Sequence, residues 1–121
     1  MNTTGSHPSL SPAPRPGVPD CLLTLAVPQA LEEEIVDALL ALPQLAPGFT
    51  TVRGQGIGSH VELTSTLEQV QGRARRVMVQ VALQQAQVRA LIDALRAALP
   101  TPQIAYWVVP LWEFGRFGDL A

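Results

Sequence analysis

The chain contains no lysine; all eight of its basic residues are arginines. Schiff-base chemistry and phosphate binding by a P-loop both depend on a lysine, so neither is open to it. Cys21 is the only cysteine, which excludes an internal disulfide. Charge is also scarce: 15% of residues are charged and 47% hydrophobic, with a net charge of −2. No general nucleic-acid binder is expected, because such proteins need a basic surface. No apolar run approaches the ~18 residues of a membrane span. Residues 1–8 carry neither the basic nor the apolar region of a secretory signal, so a cytoplasmic location is expected. Histidine occurs only as His7 and His60. No Ser/His/Asp or Cys/His set is evident, and the one acidic run, Glu32-Glu33-Glu34, reads as a solvated helix start. An enzyme is therefore not expected.

What the chain does have is a clear order of elements. Its 121 residues suit one domain. Residues 1–20 read as a disordered tail, since five prolines among Ser, Gly and Thr block both helices and ladders. Cys21 to Val27 reads as a strand. Pro28 fits a helix start, and three glutamates follow in the first turns, where negative charge suits the helix dipole. Leu31, Ile35, Leu39 and Leu42 then repeat at helical spacing. Pro43 and Pro47-Gly48 end that helix. Phe49 to Gly54 reads as a second strand. Arg75 to Leu83 reads as a third, with Val77, Val79, Val81 and Leu83 on alternate positions. Ala86 to Leu99 has the stripe of an amphipathic helix, and Gln103 to Val109 reads as a fourth strand. The order β-α-β-β-α-β is the ferredoxin-like pattern, an α+β fold with a four-stranded antiparallel sheet and two helices on one face. Both parities of the strands are too apolar for open water. A homo-oligomer is therefore expected, with a second copy of the sheet covering the open face.

Between the second and third strands lies a long polar loop, at about residues 55–74. Loops of that length in a small domain are usually functional or disordered. Gly54, Gly56 and Gly58 open it at alternate positions and suggest a permissive hinge. Arg73, Arg75 and Arg76 close it.

The Val52-Arg53-Gly54-Gln55-Gly56 turn, followed by Gly58-Ser59-His60-Val61-Glu62-Leu63, resembles the second strand and T-loop start of the PII signal-transduction superfamily. Arg76-Val77-Met78-Val79-Gln80-Val81 resembles its third strand, and Gln87-Val88-Arg89-Ala90-Leu91-Ile92 the start of its second helix. The resemblance covers residues 21–110. The compact loop and Tyr106-Trp107-Val108-Val109-Pro110 look like the small PII-like proteins encoded beside heavy-metal efflux pumps of the RND class; the CutA proteins are more distantly similar. The resemblance implies a homotrimer whose sheets face inward and whose loops project. It further implies a regulator sensing a small ligand near the T-loop base, set in heavy-metal resistance, with a membrane efflux pump or other protein as partner. The chain also departs from the PII pattern. Ile57, Gly58 and Ser59 stand where PII proteins carry ligand-holding Arg, Gln and Lys groups, and Leu99-Pro100-Thr101-Pro102 replaces a glycine- and lysine-rich phosphate loop. These departures make an adenine nucleotide the second choice of ligand behind a divalent transition metal.

Candidate site residues follow from the chemistry of the loop. His60 and Glu62 share one side of an extended segment and supply two ligands suited to zinc, copper or nickel. A closed site needs about four, so Glu68, Glu113 or a neighbouring subunit would complete it; the alternative is a solvated pair. Cys21 reads either as a soft ligand or as a buried hydrophobe. Arg73, Arg75 and Arg76, with Arg53, offer guanidinium forks for a phosphate or carboxylate, or else pair with loop acids. Tyr106, Trp107 and Trp112 are read as oligomer-interface residues. Residues 111–121 form an aromatic tail whose Phe114-Gly115-Arg116-Phe117-Gly118 could instead dock a partner or fold over a cleft.

Overall fold

The computed structural model describes residues 17–57 and 74–119. Along the chain they form β1 (Cys21–Pro28), a 3-10 turn (Gln29–Leu31), α1 (Glu32–Leu40) and β2 (Thr50–Gly56). After the loop come β3 (Ala74–Leu83), α2 (Gln85–Ala98) and β4 (Ala105–Pro110). The sheet runs β2-β3-β1-β4, and every neighbouring pair is antiparallel. Among the described residues this is an α+β fold with two helices on one face of a four-stranded sheet, as the order of elements requires.

The structure settles which parity of each strand faces the helices. Leu23, Leu25 and Val27 of β1 and Val77, Val79, Val81 and Leu83 of β3 are buried. They meet Ile35 and Leu39 of α1 and Val88, Leu91, Ile92 and Leu95 of α2 in one core. The two helical stripes read from spacing are thus the faces that pack. Helices of nine and fourteen residues are marginal in isolation; burial of these stripes is what holds them.

The ends of the elements differ from the sequence reading in three places. First, α1 begins after a 3-10 turn because Pro28 closes β1 and its ring fixes φ at −55°. Second, β2 runs on to Gly56 and β3 starts at Ala74, so Gln55, Gly56 and Ala74 belong to the ladder rather than to the loop. Gly54 is extended, not left-handed: among the described residues only Gly17 has a positive φ. Gly54 and Gly56 therefore do not act as a hinge of that kind. Third, residues 18–20 are part of the fold rather than of a disordered tail. Asp20 N–H donates to Leu83 O (3.1 Å), and Asp20 O accepts from Leu111 N–H (3.0 Å). Asp20 Oδ1 accepts from Gln85 N–H (2.8 Å), which satisfies a free donor at the start of α2. Residues 1–16, the rest of the expected tail, lie outside the described residues.

Candidate functional site

The register of β2 against β3 positions the arginines at the loop base. Arg53 pairs with Val77, Gly54 with Arg76 and Gln55 with Arg75. Side chains alternate along a strand. Arg53 and Arg75 therefore lie on the helix side, and Arg76 lies on the open face beside Gly54. A methyl at Gly54 would meet nothing within 4 Å, so space is open next to the half-buried Arg76. Arg75 and Arg76, expected to clamp one anion together, fall on opposite faces because they are neighbours in a strand. Arg53 donates from Nη2 to Glu32 Oε1 of α1 at 3.1 Å. Glu32, expected to be a solvated helix-start acid, instead ties the edge strand to the helix layer. No local signal in the sequence links two residues 21 positions apart. Gly58, His60, Glu62, Glu68 and Arg73 lie outside the described residues. Among the described residues no three His, Cys, Asp or Glu side chains group as metal ligands. Glu113 follows β4 at the other end of the sheet; that end is about 30 Å along β3 from the loop base at the usual strand rise.

One row of the open face is apolar across its width and the next is largely polar. Through the register, Val52, Met78, Ala26 and Ala105 form one row, and Thr50, Gln80, Thr24 and Trp107 the next. Val52 is 53% exposed, Trp107 45% and Val109 42%. Trp107 thus lies on the face expected to meet another subunit, and Trp112 is exposed in the segment after β4. Tyr106 points to the other side, opposite Leu25. There the Arg96 guanidinium carbon stands 5.6 Å from its ring centroid, a cation–π contact. The two residues flank a groove of about 290 Å³, floored by Leu25, Ile35, Ile92 and Leu95. Neither Arg96 nor this groove was apparent from the sequence, since their meeting depends on how α2 crosses β4. Cys21 is buried, and its Sγ donates to Leu83 O at 3.2 Å. Burial, reinforced by neighbouring Asp20, raises its pKa above the ordinary thiol value. A thiol kept protonated is a poor soft ligand, so the buried-hydrophobe reading of Cys21 holds.

The model of the DUF3240 family, described as a protein of unknown function, matches residues 18–118. The chain belongs to DUF3240. A comparison with curated proteins finds no match. Among solved structures, a DUF3240 family protein from Shewanella baltica OS155 is similar at 22% identity and a TM-score of 0.66, over 82% of this chain and 97% of that one. CPII, a nitrogen regulatory PII-like protein from Thiomonas intermedia K12 solved with ADP, AMP and bicarbonate, is similar at 21% identity and a TM-score of 0.57; 81% of this chain and 94% of CPII are covered. CutA from Synechococcus elongatus PCC7942 is similar at 18% identity and a TM-score of 0.58, with 78% and 79% covered. DUF3240 therefore shares the fold of PII-like and CutA proteins, as the Val-Arg-Gly-x-Gly turn and the element order imply. Among the described residues no helix is long and apolar enough to cross a membrane.

Proposed function

We propose that this DUF3240 chain is a PII-like regulatory protein rather than an enzyme. It works in the cytoplasm as a homotrimer built on the open sheet face. It takes a small anionic ligand at the base of the loop and relays that binding through the loop to a partner protein. The observation that carries this reading is the pairing of Gly54 with Arg76, two residue pairs before the β2–β3 ladder ends at the loop. The half-buried Arg76 there stands beside space that no side chain fills, at the edge of a face whose apolar row calls for a cover. A ligand bound at that point touches both the assembling face and the loop, and an order–disorder change in a loop is a known way to couple a ligand to a partner.

The ligands bound in CPII, two adenine nucleotides and bicarbonate, support an anion as the class. An adenine nucleotide would be held by its phosphates at Arg76, with Arg73 as a further candidate. The second reading is a divalent transition metal whose first ligands are His60 and Glu62, in a CutA-like binding protein or in a sensor serving a heavy-metal efflux pump. Calorimetry on the full chain separates them, with ADP, AMP, bicarbonate, Cu(II) and Zn(II) as titrants. Binding of an anion that weakens at least roughly tenfold in Arg76→Gln, as expected for a lost charge-assisted contact, supports the anion reading. A metal that binds stoichiometrically and is lost in His60→Ala replaces it with the metal reading. If neither panel binds, the loop-base ligand is wrong.

A further inference from the structure

The groove on the helix side of β4 combines an apolar floor with a polar rim. Leu25 of β1, Ile35 of α1 and Ile92 and Leu95 of α2 make the floor, and Leu99 and Ile104 extend it towards the turn between α2 and β4. That turn is stiff. Pro100 and Pro102 have fixed φ angles, Thr101 N–H donates to Leu99 O (2.8 Å), and Thr101 Oγ1 accepts from Gln103 N–H (3.2 Å). The groove lies on the helix side of the sheet, so a trimer built on the opposite face leaves it open.

The rim converges three polar side chains from three places: Arg96 of α2, Thr101 of the turn and Tyr106 of β4. Each has a donor to spare. Thr101 Oγ1 already accepts a bond, and its own proton remains to donate. The Tyr106 hydroxyl interacts with Arg89, whose pKa is raised by that contact; a guanidinium can only donate, so the phenol oxygen accepts and its proton is left over. Arg96 meets the Tyr106 ring with its face, which leaves its N–H edge for a planar anion. Asp93, three residues before Arg96 on α2, engages Arg89 instead (3.6 Å). Among the described residues no carboxylate lines the groove or forms an ion pair with Arg96. Convergent donors over an apolar floor select an anion with a hydrocarbon body. One unpaired guanidinium suits a single negative charge. A volume of about 290 Å³, at the lower edge of the ~300–1,000 Å³ of small-molecule pockets, keeps the ligand small.

We propose that the groove between α2 and β4 binds a small aliphatic monocarboxylate, with its carboxylate on Arg96, Thr101 and Tyr106 and its hydrocarbon body on Leu25, Ile35 and Ile92. The site goes beyond the loop-base reading and does not depend on it, since Arg76 lies on the other face of the sheet.

Methyl NMR of the full chain labelled at isoleucine tests the proposal. Of the four isoleucines, Ile35, Ile92 and Ile104 line the groove, and Ile57 follows β2 at the loop. Isovalerate is expected to move the three groove signals saturably and to leave Ile57 in place. Its neutral analogue isovaleramide should bind at least roughly tenfold more weakly, the usual size of a lost charge-assisted hydrogen bond. Acetate, which lacks most of the hydrocarbon body, should weaken by a similar factor. Arg96→Gln is expected to bring isovalerate down to the affinity of the amide, while Arg76→Gln leaves it unchanged. Arg96 is exposed and outside the core, so the variant keeps its fold, which the methyl spectrum itself checks. Absence of saturable shifts at the groove overturns the proposal, as does equal affinity for the amide or for acetate, or an unchanged affinity in Arg96→Gln. Shifts at Ile57 alone, lost in Arg76→Gln, would place the carboxylate at the loop base and overturn it as well.

Discussion

Cys21 pairs with Leu83 at the end of β1, with its thiol turned into the core and donating to that residue's carbonyl. Ionising it there means placing a thiolate in apolar surroundings next to Asp20, which is why its pKa is raised. The sign of the effect on stability follows. A group that holds its proton more tightly when folded contributes its full stability below the unfolded pKa and loses it as pH rises through the folded one. Stability should therefore fall on the alkaline side of the ordinary thiol range, and Cys21→Ala should flatten part of that fall. Urea midpoints of both proteins from pH 7 to 10 measure the difference; identical slopes would show that the thiol is not responsible. The same burial makes the native thiol slow towards Ellman's reagent at neutral pH, with the rate rising to that of a free thiol in denaturant. Residue type alone left two roles open for Cys21, and the choice came from the burial of its strand. Arg53 shows the opposite case. Its charge and its place at the loop base were legible, but its partner Glu32 belongs to another element and only the packed fold brings them together.

At the scale of elements, periodicity revealed most of the architecture because each stripe serves one surface. Ile35 and Leu39 on α1, and Val88, Leu91, Ile92 and Leu95 on α2, are the residues that pack. The alternation of Val77, Val79 and Val81 marks the core side of β3. The ends were less legible because their contacts are long-range. α2 has no capping side chain of its own at Gln84; Asp20, 65 residues earlier, supplies the acceptor for Gln85 N–H. Nothing near Gln85 in the sequence announces this, and a proline-rich neighbourhood disguises Asp20 as tail. Asp20→Ala should cost about 1 kcal/mol, the usual value of a lost helix cap, while Asp20→Asn, which keeps an acceptor oxygen, should cost a few tenths. Chemical denaturation of the two variants gives the comparison. Equal losses in both would mean that the negative charge near the helix start, and not the hydrogen bond, is what α2 needs. The candidate site divides in the same manner. The third strand is read from alternation, and its start at Arg75 already sets Arg75 and Arg76 on opposite faces; which of them faces the helices follows only from the packed sheet, where Val77 is buried.

At the scale of the whole molecule, one face of the sheet is covered by two helices and the other is not, although it carries an apolar row beside a largely polar one. Val52, Met78, Ala26 and Ala105 make a continuous row across all four strands, and exposed patches of that kind mark interaction surfaces. If a trimer forms by burying this face, a charge placed on it is solvated in the single subunit and stripped of water in the assembly, at a cost of several kcal/mol. Val52 is suited to the test because its side chain is exposed on an edge strand and outside the core. Val52→Arg should leave far-UV circular dichroism unchanged but sediment as a monomer, where the parent chain sediments with three times the mass. Trp107→Arg, in the neighbouring row, should act in the same direction. Tyr106→Ser should not, because Tyr106 lies on the helix side of β4 against Leu25 and Arg96. The pair of adjacent residues in β4 thus discriminates between routes of assembly. Loss of the trimer through Trp107 alone points to the sheet face, whereas loss through Tyr106 alone points to the helix side. A parent chain that is already monomeric at micromolar concentration would mean that the face is covered by a different partner.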